Sequence, residues 1–260
     1  MELVDFDLDW HSWFERWEAM QNCYIPHRLS RFDLMLQLAS LPRNGDVEIL
    51  DLGCGPGSLA FRAVRYYPNA HIVAVDFDPI LLTMGQKKAE KTTHRIDFIQ
   101  ADIRQAKFWQ PYQDAFDLIM SATALHWLNT ENLAQTYKRS YKALKLRGCL
   151  MNSDHVSSND PEMQGRYRQI LQANQQTAFR ESGADDWDAF WDKLGFEVRQ
   201  ADLAALRNAD EYWEGSEDGQ PKQRHFDALR DCGFEQVECH WQYLGEAIIG
   251  AQKRSERVRA

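Results

Sequence analysis

The nonapeptide ILDLGCGPG at 49–57 joins a short apolar run to three alternate glycines, and a helical pattern begins at once at residue 58. A backbone leaving a buried strand needs glycine where it must turn sharply and pass close to a ligand. The same texture continues down the chain. VEILDL (47–52), HIVAVD (71–76), RIDFIQ (95–100), FDLIMS (116–121) and GCLMNSD (148–154) read as strands. Helical patterns at 58–67, from Pro79 to about 91, and at 130–146 alternate with them. Strands alternating with helices predict right-handed βαβ units and an α/β fold whose parallel sheet is covered on both faces.

The two ends depart from that rhythm. Residues 1–45 read as an N-terminal helical cap, with Trp10, Trp13, Phe14 and Trp17 at helical spacing and a second pattern from Phe32 to Leu38. Such a stripe suits either a core-capping helix or a lid over a ligand. Residues 46–154 form the expected core domain. Residues 155–220 are polar, carry Trp187, Trp191 and Trp213, and read as an insertion of two or three helices. Residues 221–260 return to the core with a helix at about 221–232 and two runs, FEQVECHW (234–241) and EAIIGAQK (246–253). The four-residue link QYLG forces those runs into an antiparallel hairpin, because a parallel return needs a dozen residues or more.

Charge and composition narrow the partners. Thirty Lys and Arg against 39 Asp and Glu give a net charge of −9, which disfavours a phosphate-tracking surface, so no nucleic acid is expected. No run approaches the ~18 apolar residues of a membrane span, and the acidic start MELVDFDLDW lacks the order of a secretion signal. The expectation is a cytoplasmic protein with no membrane partner, monomeric or homodimeric. Five scattered cysteines without a CxxC pair read as reduced thiols, and no metal site is expected.

The candidate site lies at the carboxyl ends of the strands, where open α/β sheets bind ligands. Asp51 precedes the glycine turn; an acid there repels a pyrophosphate but suits an ammonium or sulfonium group. Ser58 stands where the dinucleotide fingerprint wants a final Gly or Ala, and no P-loop lysine follows. Asp76 ends the second strand nineteen residues after Gly57, where an acid accepts from both ribose hydroxyls, and Phe77 beside it suits an adenine face. Asp102, after the third strand, is placed to accept from an adenine amino group.

On ILDLGCGPG, VAVDFD (73–78), QADI (100–103) and FDLIMSATALHWL (116–128), the chain resembles the class I S-adenosylmethionine-dependent methyltransferases, small-molecule type, of the trans-aconitate methyltransferase kind. The resemblance covers about 47–154. It implies a Rossmann-like, seven-stranded, mostly parallel sheet of order 3-2-1-4-5-7-6 with strand 7 antiparallel, the cofactor S-adenosyl-L-methionine and the product S-adenosyl-L-homocysteine. It further implies that Gly53, Cys54, Gly55 and Gly57 cradle the methionine part, with Asp51 near its ammonium and Asp76 on the ribose. Asp102 and Ile103 would frame the adenine, and Ser121 and Ala122 would approach the methionine moiety. Arg28, or Arg31, would meet the methionine carboxylate from the N-terminal helices.

Methyl transfer from a sulfonium needs alignment and exclusion of water first, and a base only when the acceptor must lose a proton. His126, just beyond the fourth strand, is the expected catalytic base, with Asp154 and His155 at the end of the fifth strand as second choice. A histidine merely hydrogen-bonded in a short helix is the alternative. Tyr24, His155, Trp187 and Trp191 are candidate substrate contacts, the tryptophans otherwise anchoring a small lid. The expected activity is methyl transfer to a small-molecule acceptor through N, O or C. The alternatives are a protein or RNA methyltransferase, carboxylated-cofactor synthesis, and a binding protein without turnover.

Overall fold

A computed structural model describes residues 6–198 and 213–253. Its central sheet contains β1 (Glu48–Leu52), β2 (His71–Asp76), β3 (Arg95–Gln100), β4 (Phe116–Ala122), β5 (Leu144–Ser157), β7 (Phe234–Tyr243) and β8 (Glu246–Lys253). They run in the order β3-β2-β1-β4-β5-β8-β7, and the two-residue β6 (Gln220–Pro221) adds to the end of β5. With β6 set aside this is the expected seven-stranded order. β1 to β5 are mutually parallel, and β8 is antiparallel to both β5 and β7. β1 and β2 are buried at all but their first residue, as strands covered on both faces must be.

The helices are α1 (Trp10–Tyr24), α2 (Arg28–Ala39), α3 (Ser58–Tyr66), α4 (Pro79–Ala89), α5 (Ala106–Trp109), α6 (Thr130–Ala143), α7 (Pro161–Ser182), α8 (Trp187–Val198) and α9 (Lys222–Asp231). Local chemistry sets their ends. Asp78 accepts from the amides of Ile80 and Leu81, with Pro79 at the first position of α4; Asp160 and Pro161 open α7 in the same way. Gly183, left-handed at φ 66°, closes α7.

Two apolar clusters occupy the faces of the sheet, one around Ile49, Ile72 and Leu118, the other around Leu50, Val75 and Ile119. A third gathers Trp10, Trp13, Phe14 and Trp17 of α1 with Ile80 and Met84 of α4 and Phe190 and Leu194 of α8. Each such buried side chain is worth about 1.5–3 kcal/mol. The aromatic stripe therefore binds α1 and α8 to the core domain.

Several boundaries differ from the sequence reading. α6 stops at Ala143 rather than 146, because the carbonyls of Lys142 and Ala143 turn to the amides of Asp114 and Ala115. β5 consequently begins at Leu144, with a register shift opposite Phe116–Leu118 and Arg147 at φ 66°. β7 runs on to Tyr243, so the hairpin turns on Leu244 and Gly245 alone. α5 and β6 were not foreseen as elements, and the short helix considered around His126 is a 3₁₀ turn at Leu125–Trp127. Of the expected insertion, α7 and α8 are described, and residues 199–212 lie outside the described residues. No helix among the described residues is long and apolar enough to cross a membrane.

Candidate functional site

A cavity of about 720 Å³ opens at the carboxyl ends of β1, β2 and β4, roofed by residues of α1, α2 and α7. The first glycine turn forms its floor. Gly53 has φ 64°, and a Cβ there would stand 2.4 Å from that of Ala124, so no other residue fits without moving the β4 loop. The amide of Gly55 donates to Asp76 Oδ2 at 2.7 Å, while Asp76 Oδ1 accepts from the amide of Asp78 at 3.0 Å. Asp76 thereby ties the end of β2 to the turn after β1.

Asp51 is 1% exposed, and its Oδ2 is buried without a hydrogen-bond partner. Burial, with the neighbouring Asp76 carboxylate adding to it, pushes the Asp51 carboxyl up to about 8. Burial also raises Asp76, to about 6. Two desolvated acids, one with an orphaned oxygen, fit a ligand that brings positive charge. Cys54 carries a thiol driven well upward by burial and by Asp76, so it is no nucleophile at neutral pH.

The other expected cofactor residues divide. Phe77, Asp102, Ile103 and Ala122 line the cavity. Asp102 also holds Arg104, accepting from its amide at 2.8 Å and from Nε at 3.0 Å. Arg28 lines the cavity, but its two terminal nitrogens already meet Glu18 at 2.9 and 3.0 Å. Ser121 does not reach the cavity: it is the penultimate residue of β4, and its hydroxyl donates to the Leu52 carbonyl at 2.8 Å inside the sheet. Gly57 opens α3 against the Phe98 ring and is not among the lining residues.

His126 sits in the 3₁₀ turn beyond β4 and is 3% exposed. Its Nδ1 lies 2.6 Å from Asp154 Oδ1, and its amide donates to Asp154 Oδ2 at 3.0 Å. Burial lowers the His126 pKa below that of an ordinary histidine. Burial alone would raise Asp154, but the facing His126 and His155 overcome it and hold this carboxyl at about 2. A neutral imidazole donating Nδ1–H to an ionised aspartate keeps Nε2 as its basic nitrogen. His126 is hydrogen-bonded in a short helix, and it also lines the cavity.

His155 follows directly, its ring centroid 4.5 Å from that of His126. β5 and β8 pair His155 with Glu246, so His155 Nδ1 meets Glu246 Oε1 at 2.5 Å. Glu246 Oε2 takes Arg31 Nη1 at 2.6 Å, and Arg31 Nε donates to Ser153 at 2.8 Å. Arg31 thus serves this buried ion pair and does not line the cavity. His126, Asp154 and His155 offer ligand atoms within 4.8 Å of one another, a grouping that sequence spacing did not reveal.

Tyr24 and Trp187 line the roof and hold each other, the Trp187 amide donating to the Tyr24 hydroxyl at 3.0 Å. Trp191 packs on Trp17, Trp187 and Phe190 and does not line the cavity. The sequence reading missed the segment 213–219. The amides of Glu214 and Gly215 donate to the Trp127 carbonyl at 2.9 and 2.8 Å, and Trp213 stacks on Trp127 with centroids 4.9 Å apart. A Cβ on Gly215 would stand 2.0 Å from the His126 carbonyl oxygen. The pair of glycines flanking an acidic tripeptide, GSEDG at 215–219, was the available signal.

Comparison with known proteins gives this geometry relatives. Residues 49–148 match a family described as a methyltransferase domain. The chain is 32% identical over 139 residues to the malonyl-[acyl-carrier protein] O-methyltransferase of Priestia megaterium, covering 54% of this chain and 48% of that one. It is 35% identical over 116 residues to the trans-aconitate 2-methyltransferase of Streptomyces avermitilis, covering 43% and 41%. The chain therefore spans about half the length of the curated relatives it matches. Among solved structures, human N-acetylserotonin methyltransferase in complex with SAM aligns over 95% of this chain and 58% of that one, with TM-score 0.53 and 20% identity. A SAM-dependent methyltransferase from Methanosarcina mazei aligns over 85% and 98%, with TM-score 0.53 and 16% identity. These likenesses are of fold.

Proposed function

We propose that the chain is a class I S-adenosylmethionine-dependent methyltransferase that transfers a methyl group to a small-molecule acceptor, with His126 as base, a reading supported by the match of residues 49–148 to a methyltransferase domain. One observation carries the reading: the buried acids Asp51 and Asp76 beside the glycine turn and His126, which Asp154 holds from behind, line one cavity. When bound, S-adenosylmethionine supplies an activated methyl on a sulfonium.

The chain's own residues divide the remaining work. Asp51, through its orphaned Oδ2, would face the ligand's ammonium; Asp76 retains lone pairs beyond those given to Gly55 and Asp78 and would accept from the ribose hydroxyls. Phe77 and Ile103 would bracket the adenine. Arg28 would reach the methionine carboxylate only by sharing or leaving Glu18. His126 would take a proton at Nε2, and Asp154 fixes its tautomer and stabilises the imidazolium formed. The roof would hold acceptor and cofactor in alignment, an effect that contributes about 7–11 kcal/mol in the best-oriented systems.

A small acceptor is favoured over a macromolecule by the enclosure itself. Tyr24, Gln175 and Trp187 cross-link the roof through the bonds Gln175 Nε2 to Tyr24 O and Trp187 N to Tyr24 Oη, and a protein or RNA segment would have to part them. The test is incubation with methyl-labelled S-adenosylmethionine and an extract of the protein's source, followed by separation by size. Label in the low-molecular-weight pool is expected. Label in protein or RNA would replace this reading by the macromolecular one, and a carboxylated cofactor product would replace it by synthesis on the cofactor.

A further inference from the structure

The acceptor side of the cavity has a charge pattern that identifies the class of molecule it takes, given the methyltransferase reading on which this inference rests. The arginines among the described lining residues are Arg28, Arg104 and Arg168; His155, which burial would lower but Glu246 raises above an ordinary histidine, is held by that same Glu246. Each is already engaged: Arg28 by Glu18, Arg104 by Asp102 and Glu214, and Arg168 by Asp218 through both Nε and Nη2. Glu217 lines the same rim, so the acids there outnumber the arginine that answers them.

Beside that rim runs a continuous row of rings. The centroids are 4.5 Å apart from His155 to His126, 4.5 Å from His126 to Trp127, and 4.9 Å from Trp127 to Trp213, with the last two planes only 17° apart. All four residues line the cavity, and the backbone of 214–216 is bonded to the His126 and Trp127 carbonyls, which holds the row in place. Aromatic faces with acids at their edge attract cations, and a carboxylate here would meet no uncommitted positive charge among the described residues.

We infer that the acceptor is an organic ammonium ion, seated on the Trp127–Trp213 platform with an N–H directed to His126. The relatives named above for trans-aconitate and for malonyl-[acyl-carrier protein] act on carboxyl-bearing molecules by their names, so the class differs from theirs. The ammonium N–H bond breaks, its proton passes to His126 Nε2, and the electron pair stays on nitrogen as the lone pair a nucleophile requires. Asp154 compensates the imidazolium.

The test is calorimetric titration of the full chain, first with S-adenosylhomocysteine, then, once loaded, with 2-phenylethylammonium chloride or sodium 3-phenylpropanoate. The ammonium should bind and the similarly shaped carboxylate should not. Trp213→Leu should weaken ammonium binding by roughly two- to thirtyfold, Trp213→Phe should retain most of it, and both should leave S-adenosylhomocysteine affinity unchanged. Tighter binding of the carboxylate, or binding of neither probe to the loaded protein, overturns the ammonium assignment. Equal ammonium affinity in Trp213→Leu overturns the platform. Failure of S-adenosylhomocysteine to bind overturns the methyltransferase reading instead.

Discussion

Binding of S-adenosylhomocysteine at pH 7 should release protons, and Asp51 should be their source. With its carboxyl raised to about 8, Asp51 is about 90% protonated in the free protein at that pH. An ammonium brought beside a carboxyl lowers its pKa by about 1–3 units, so the bound state retains roughly half a proton at one extreme and almost none at the other. The release is therefore about 0.4–0.9 proton per ligand, and affinity should rise with pH between roughly 6 and 8. The sign for stability is opposite. A group whose folded pKa lies above its unfolded value of 3.8 stabilises the fold fully below that value, and the contribution is lost as pH rises through about 8, at up to ~1.4 kcal/mol per pH unit. The assay is calorimetry in phosphate, HEPES and Tris, where the dependence of observed heat on buffer ionisation enthalpy counts the protons. Asp51→Asn should abolish the release and flatten the loss of stability between about pH 4 and 8. An unchanged proton count in Asp51→Asn would refute the argument that its buried, unpartnered oxygen faces the ligand's charge.

Three further outcomes follow from the same geometry. Asp76→Ala removes the acceptor that links the β1 turn to β2 and should weaken S-adenosylhomocysteine binding by about 1.5–3 kcal/mol, read by calorimetry on folded protein. His126→Ala should lower turnover with little change in cofactor affinity; in the unaltered protein, turnover should rise with pH through a midpoint below the ordinary histidine value, because burial depresses His126. Gly215→Ala, which would press a Cβ to 2.0 Å from the His126 carbonyl oxygen, should cost about 1–3 kcal/mol, whereas Gly165→Ala inside α7, with nothing within 4 Å, should gain about 0.5–1 kcal/mol in chemical denaturation.

The fold was legible because its information is local. Buried parallel strands are written as continuous apolar runs, and the short link after Tyr243 leaves only an antiparallel return. The proposed cofactor side was traceable for a related reason: Asp51, Gly53 and Asp76 stand at strand ends, positions that the strands themselves identify. The acceptor side was legible only as isolated residues. His126 and Asp154 were each singled out, but their contact depends on the register that sets Ala122 beside Ser153, the two residues standing twenty-eight positions apart in the chain. Glu246 reaches His155 only through the pairing of β5 with β8. Ser121 and Arg31 show the opposite error: the right neighbourhood in sequence, but side chains committed to the sheet and to a buried ion pair. Trp213 escaped because its neighbour, Trp127, lies far away along the chain.

The central claim is that the two halves of the cavity form one site, cofactor at the strand ends and acceptor at the His126–Asp154 pair. A crystal structure with S-adenosylhomocysteine bound tests it most directly. The account predicts the ligand's ammonium at Asp51, its ribose hydroxyls at Asp76, its adenine between Phe77 and Ile103, and its sulfur turned toward the side of the cavity that holds His126. A ligand bound with its sulfur facing away from His126, or outside this cavity, would contradict it.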